Sequence, residues 1–116
     1  MTLYGIPNCN TVKKARDWLD AHRVTYQFHD FKKLGIDEAT LNAWLTQYPW
    51  EKLINRAGLT WRGLDVASRA SIADNATAIT LMQAKTSVIK RPVLVQNNRI
   101  LCLGFDEPLY KETFTP

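Results

Sequence analysis

One cysteine near the start of the chain has the surroundings of a reactive thiol. Cys9 follows the strand-like run Thr2-Leu3-Tyr4 and precedes residues 12–21, whose apolar side chains recur at helical spacing. A thiol at such a junction lies close to the unpaired N–H groups and the positive end of the helix dipole. Lys13 adds a cation one helical turn further on. Because each of these favours the thiolate, which is the nucleophilic form, we expect Cys9 to be an activated nucleophile.

An unreactive buried thiol is the alternative interpretation, since free cysteine usually packs as a small hydrophobic residue. Against it, Cys9 lies between Asn8 and Asn10, and asparagine is typical of turns and helix caps rather than of cores. The second cysteine, Cys102, lies in the apolar run 100–103. We therefore expect Cys102 to be structural.

Composition limits the class of protein. The chain has 116 residues, of which 46% are hydrophobic and 22% are charged, which favours a single soluble domain over residues 1–116. It has no apolar run long enough to span a bilayer, and its first residues lack the basic-then-apolar pattern of a signal peptide. We therefore expect a cytoplasmic protein with no membrane contact, in which the two distant cysteines form no structural disulfide.

Charge and ligand spacing limit the partners. The net charge of +4 is compatible with an anionic substrate but does not indicate a nucleic acid. His22 and His29 stand apart from other metal ligands in the sequence, so we expect no metal site and no bound cofactor.

The order of the elements predicts the fold. The run from Val24 to Phe31 alternates like a strand, so it forms a β-α-β unit of parallel strands with the first strand and helix. A helix begins after Asp37 and continues to about Tyr48, and the chain stays mostly helical to residue 84. The loop between the second strand and this helical block covers residues 32–36.

Two further strands and a helix end the chain. Residues 93–96 and 99–103 flank Asn97-Asn98, which tolerates the positive φ of a tight hairpin, and residues 107–114 form the last helix. The sequence thus predicts an α/β, thioredoxin-like fold: a mixed four-stranded sheet flanked by helices, with a helical insertion at about residues 37–84.

Arg91-Pro92 leads into the third predicted strand. In this architecture we expect the proline to be cis, although a trans proline is also tolerated at the first residue of a strand. Arg91 would then lie toward Cys9, where a guanidinium lowers a thiol pKa and can hold an oxyanion through two hydrogen bonds.

Three segments resemble the arsenate reductase/Spx (ArsC-like) family, and most closely its YffB-like branch: residues 3–15 around Cys9, residues 89–94 around Arg91-Pro92, and Leu103-Gly104-Phe105. The resemblance implies a thioredoxin fold with a helical insertion. It also implies that Cys9 is the catalytic nucleophile and that Arg91 and Arg56 are anion-binding arginines. With Asn8, Lys13 and Pro92 they make up the expected substrate-binding residues.

Two departures from the family pattern guide the functional prediction. No arginine stands near Leu103-Gly104, where arsenate reductases carry a third one, and Val12 occupies the second cysteine position of the C-x-x-C switch of Spx regulators. The resemblance therefore implies a glutathione-dependent thiol oxidoreductase with a single cysteine nucleophile. Glutathione is the co-substrate, or a glutaredoxin-like protein the thiol donor, and the substrate is a small anion or an oxidised thiol.

Two alternatives remain open at this stage. One is an arsenate reductase coupled to glutathione and glutaredoxin. The other is a non-enzymatic, Spx-like regulator that binds RNA polymerase. For the oxidoreductase we expect a monomer with no direct contact to nucleic acid.

Overall fold

A computed structural model describes residues 1–115. Along this part of the chain, strands and helices follow one another in the order β1 Thr2–Gly5, α1 Asn10–Ala21, β2 Gln27–Asp30, α2 Phe31–Leu34, α3 Glu38–Leu45, α4 Trp50–Leu53, α5 Leu59–Arg62, α6 Val66–Ala70, α7 Asn75–Ala84, a 3₁₀ turn Thr86–Val88, β3 Val93–Gln96, β4 Arg99–Leu103 and α8 Glu107–Phe114. No helix among these residues has both the length and the apolar character that a membrane crossing requires.

The chain forms two compact units. The first comprises Met1–Leu34 and the residues from Arg91 onward, and the second comprises Gly35–Lys90. The predicted helical insertion at residues 37–84 falls inside the second unit. That the whole chain acts as a single domain stays a prediction.

The first unit contains a mixed four-stranded sheet in the order β2-β1-β3-β4. Strand β1 pairs parallel to β2, with Leu3 opposite Phe28, and antiparallel to β3, with Leu3 opposite Leu94. Strands β3 and β4 form the predicted antiparallel hairpin. The thioredoxin-like, mixed four-stranded sheet predicted from the sequence is therefore confirmed.

One face of this sheet carries the core of the unit. Leu3 and Leu94 are fully buried, and helices α1 and α8 contribute Trp18 and Tyr110, whose rings meet edge to face with centroids 5.4 Å apart. An edge-to-face pair adds to the free energy gained by burying the two rings. This apolar layer fixes α1, and with it the helix start that follows Cys9, against the sheet.

The second unit is helical and is held by its own contacts. Helix α3 packs against α7, and the Gln83 side chain on α7 donates a hydrogen bond to the carbonyl of Ile36 at 3.1 Å. Ile54 and Ile89 form an isolated antiparallel bridge. Asp37, as predicted, caps α3 by accepting a hydrogen bond from the Thr40 N–H at 2.7 Å.

Three predicted boundaries are wrong. Strand β2 is shorter than the predicted run 24–31, because Val24 and Tyr26 pack against the core without joining the ladder. The predicted loop 32–36 contains helix α2, whose first N–H groups include that of Lys32, bonded to the Asp30 carboxylate at 2.8 Å. Helix α3 ends at Leu45 rather than near Tyr48.

The backbone conformation of the hairpin turn between β3 and β4 can be tested by mutation. Asn97 has φ of 52°, a left-handed conformation that costs an ordinary L-residue about 1–2 kcal/mol. Asn97→Ala should therefore lower the free energy of unfolding by about 1 kcal/mol, whereas Asn97→Gly should leave it unchanged or raise it. Urea unfolding of the three proteins measures this, and equal losses in both variants would contradict it.

Candidate active site around Cys9

Cys9 occupies the N-cap position of α1. Its backbone is extended, with φ −130° and ψ 123°, and its carbonyl accepts the first helical hydrogen bond, from the Lys13 N–H at 2.9 Å. The side chain is partly exposed. The thiol is therefore held at the positive end of a 12-residue helix while it stays open to solvent.

The surroundings of Cys9 favour its thiolate. Burial by itself would raise the pKa of Cys9, but the N–H of Val12, the hydrogen bond and charge of Arg91, and the N–H of Thr11 together outweigh it, so the pKa lies below the ordinary thiol value. The sulfur makes no close capping hydrogen bond, so the helix N-terminus acts on it through oriented N–H dipoles. A larger thiolate fraction at neutral pH follows, and the thiolate is the attacking species.

Arg91 belongs to the loop that enters β3, and the peptide bond between Arg91 and Pro92 is cis, as predicted. The buried carbonyl of Pro92 accepts a hydrogen bond from the Gly104 N–H at 2.8 Å, which ties this loop to the end of β4. Gly104 has φ of 82°, a conformation that glycine adopts without strain. Arg91 is thus carried by a loop with an anchored backbone, and its guanidinium reaches the Cys9 thiol.

The structure places Lys13 differently from the sequence prediction. Its ammonium forms an ion pair with Asp17 at 3.0 Å, one turn along α1, and both side chains are largely exposed. Lys13 is not among the groups that lower the pKa of Cys9. Pairs at this spacing face each other on a helix surface, so the Lys13 ammonium has an acidic partner on its own helix. Asn8 is exposed beside Cys9.

Arg56 lies in the second unit, on the exposed segment that follows the Ile54–Ile89 bridge. Its guanidinium carbon is 6.0 Å from the ring centroid of Trp50, at the outer limit of a cation–π contact. Its role in binding an anion stays a prediction.

The second thiol has the opposite character. Cys102 is 2% exposed within the core of the first unit, and its S–H donates to the carbonyl of Gly104 at 3.2 Å. Burial raises the pKa of the Cys102 thiol, so it is held as a neutral thiol. Within the described residues there is also no cluster of three or more His, Cys, Asp or Glu residues that could hold a metal ion.

Two main-chain groups at the site cannot be identified from the sequence alone. The N–H groups of Thr11 and Val12 act on the thiol, but main-chain groups carry no side-chain signature. The strand-to-helix junction indicates a helix N-terminus near Cys9 without showing which N–H groups reach the sulfur.

The contribution of Arg91 can be measured at Cys9. Arg91→Ala should raise the pKa of Cys9 and slow its alkylation by iodoacetamide at pH 6 by roughly three- to tenfold, because less thiolate is present. Arg91→Lys should keep part of the effect but weaken protection by phosphate, since an ammonium lacks the two-pronged grip of a guanidinium.

Lys13→Ala is the matched control for a lost cation. Its charge is bound to Asp17, so its alkylation midpoint should equal that of the wild type. The same rate and the same phosphate protection in the wild type and both Arg91 variants would remove Arg91 from the site.

Cys102 gives a second test. Cys102→Ser should lower the free energy of unfolding by about 1–3 kcal/mol, because a hydroxyl replaces a sulfur in an apolar core, and should leave Cys9 alkylation unchanged. Cys102→Ala removes the sulfur without adding a polar group and separates the two costs. Urea unfolding and the alkylation rate are measured on both variants. Slower Cys9 chemistry in a folded Cys102→Ser protein would instead indicate a resolving thiol.

Comparisons with known proteins identify relatives of this chain. An uncharacterized protein of Haemophilus influenzae is 39% identical over 98% of each chain. Two solved structures share the fold and much of the sequence. A protein named YffB is 49% identical with a TM-score of 0.89 over 96% of each chain. An arsenate reductase-related protein from Brucella melitensis is 46% identical with a TM-score of 0.77, over 99% of this chain and 94% of its own.

Regulators are also among the relatives. The global transcriptional regulator Spx of Streptococcus mutans is 29% identical over 92% of this chain and 77% of its own length. The expectation that the chain makes no direct contact with nucleic acid therefore gains no support from these relatives.

The family model for ArsC matches residues 4–113, which include the thiol at the start of α1, the arginine before the cis proline and all the elements between them. Because this match covers most of the sequence, the chain belongs to the ArsC family.

Proposed function

We propose that this protein is a glutathione-dependent thiol reductase in which Cys9 is the only nucleophile. The observation that carries the proposal is the contrast between the two thiols of the described chain. Cys9 is partly exposed with a lowered pKa, whereas Cys102 is buried with a raised one. One reactive cysteine without a resolving partner requires a second thiol from another molecule to complete each cycle.

The cycle consists of two thiol–disulfide exchanges. In the first, the Cys9 thiolate attacks the glutathione sulfur of a mixed disulfide between glutathione and a substrate thiol. The S–S bond breaks, the substrate leaves as a thiolate that takes a proton from water, and Cys9 forms a mixed disulfide with glutathione. In the second, the thiolate of a free glutathione attacks the glutathione sulfur of that adduct. Oxidised glutathione and the Cys9 thiolate result. In each cycle, one mixed disulfide and one free glutathione give one substrate thiol and one oxidised glutathione. The proton that the free glutathione releases balances the proton that the substrate takes up.

The charges near Cys9 suit both steps. The N–H groups of Val12 and Thr11 and the Arg91 guanidinium stabilise the Cys9 thiolate, which makes it a good leaving group in the second exchange. Arg91 also offers a guanidinium to a carboxylate of glutathione or to another small anion. In this proposal Asn8, Lys13 and Pro92 of the first unit complete the substrate-binding surface around Cys9, and Arg56 of the second unit is a separate candidate for anion binding.

The relatives support a thiol reductase, since they include an arsenate reductase-related protein of Brucella melitensis. Arsenate itself is a weaker candidate for the substrate. No arginine stands near Leu103-Gly104, where the third arginine of arsenate reductases falls. Fewer guanidinium groups leave an oxyanion with fewer charge-assisted hydrogen bonds.

A regulatory function is the second candidate, favoured by the similarity to global transcriptional regulators named Spx. On this alternative the chain binds RNA polymerase and does not turn over a substrate. Alkylation of Cys9 distinguishes the two functions, because an adaptor keeps its partner after alkylation whereas a reductase loses its turnover.

The reductase proposal predicts a defined adduct and a defined dependence on Cys9. Incubation with oxidised glutathione should add one glutathione to the intact protein, located at Cys9 by peptide mapping. The protein should reduce the mixed disulfide of glutathione and 2-mercaptoethanol in the presence of glutathione, glutathione reductase and NADPH. Cys9→Ser should fall to the uncatalysed rate, and Cys102→Ser should retain turnover.

Two outcomes would change this assignment. No adduct and no turnover from a protein whose Cys9 is rapidly alkylated would exclude glutathione exchange and favour the regulator. Faster NADPH oxidation with arsenate than with the mixed disulfide, in the presence of glutaredoxin, would identify an arsenate reductase.

A further inference from the structure

The end of β1 and the first turn of α1 meet with no room for a side chain between them. Gly5, the last residue of β1, is buried. A Cβ at this position would lie 2.9 Å from Cγ2 and 3.2 Å from Cγ1 of Val12. The first of these distances is shorter than carbon atoms in a packed interior tolerate. Any residue other than glycine at position 5 therefore requires a movement of Val12.

Val12 cannot relieve this overlap by rotating its side chain. It is fully buried, and a valine in a helix has one strongly preferred χ1 rotamer. Close packing around a buried side chain also leaves few alternative positions. The displacement would therefore pass to the backbone, and the first turn of α1 would move away from the end of β1.

Movement of this turn changes what the Cys9 thiol faces. The Val12 N–H is the strongest of the interactions that favour the thiolate, and Cys9 caps the same turn. Arg91 would not move with it, because its loop continues into β3, which pairs with β1 through Tyr4 and Val93. Arg91 is the charged side chain that acts on the thiol. Lys13 on α1 instead forms an ion pair with Asp17.

We propose that Gly5 is a positioning residue for Cys9: by lacking a Cβ it lets Val12 lie against the end of β1, which fixes the first turn of α1, and the thiol on it, relative to Arg91. The proposal rests on the proposed function of Cys9 as the nucleophile. It assigns to Gly5 a role in the chemistry that is exerted through Val12 and without contact with the substrate.

The test introduces a Cβ at position 5 and then removes the overlap by shortening the Val12 side chain. Gly5→Ala should raise the pH midpoint of Cys9 alkylation by iodoacetamide and lower the rate below the midpoint by about three- to tenfold. Val12→Ala removes both atoms that the new Cβ would meet, so the double variant Gly5→Ala/Val12→Ala should return to the midpoint of Val12→Ala alone. This recovery is expected even though the double variant is no more stable in urea than Val12→Ala.

A matched glycine controls for a general loss of stability. Gly35 lies in the second unit and has φ of 63°, a left-handed conformation in which an alanine is strained. Gly35→Ala should lower stability while the alkylation midpoint stays at the wild-type value. An unchanged midpoint in folded Gly5→Ala, or a double variant that keeps the raised midpoint, would overturn the proposal.

The remaining outcomes are also decisive. If Gly5→Ala does not fold, Val12→Ile enlarges the same contact from the helix side and should raise the midpoint, whereas an unchanged midpoint would overturn the proposal. A wild-type protein that is readily alkylated but does not reduce the glutathione mixed disulfide would contradict the proposed function alone, because the alkylation series still decides the role of Gly5. An ordinary thiol midpoint in the wild type would overturn both.

Discussion

The reactivity of the Cys9 thiol depends on one balance of free energies. Partial burial disfavours the charged thiolate, and the N–H groups of Val12 and Thr11 with the Arg91 guanidinium more than compensate. The groups that stabilise the thiolate depend on the positions of other elements of the fold. The N–H groups require that α1 begins at residue 10, and the guanidinium requires that β3 lies beside β1. The sheet order β2-β1-β3-β4 meets the second requirement by placing β1 next to β3.

Close packing makes the free-energy balance at the partly exposed thiol depend on residues in the core. Trp18 and Tyr110 hold α1 and α8 on one face of the sheet, and Gly5 allows the start of α1 to approach the end of β1. Because the interior is densely packed, a change of a few tenths of an ångström there moves whole elements. A partly exposed thiol can thus be sensitive to buried residues that never meet a substrate.

The parts of the fold that were predicted correctly are those with strong local signals. Asp37 and the Asn97-Asn98 turn are such cases, because a cap or a tight turn is specified by adjacent residues. Strand β2 was predicted too long because alternation reports burial, and Val24 and Tyr26 are partly buried by packing rather than by strand pairing.

The same distinction applies to the candidate site. The position of Cys9 at a helix start follows from neighbouring residues, and so did its prediction. Sequence distance alone predicts that the Lys13 charge favours the thiolate; in the structure Lys13 forms an ion pair with Asp17 one helical turn on and is not among the groups that lower the pKa of Cys9. The cation that does act on Cys9 is distant in sequence, and resemblance to known proteins together with the expected cis proline indicated it. Contacts made by main-chain N–H groups have no counterpart in residue type, and a glycine in the sequence does not show which side chain packs against it.

The separation of Cys9 and Arg91 along the sequence has a consequence for the newly made chain. Arg91 is synthesised well after Cys9, and β3 can pair with β1 only after the helical residues 35–90 have followed. Until then the thiol lacks the guanidinium and has a smaller thiolate fraction than in the finished protein. The nascent cysteine is therefore less open to oxidation during synthesis, and it gains its full thiolate fraction only when β3 has paired with β1.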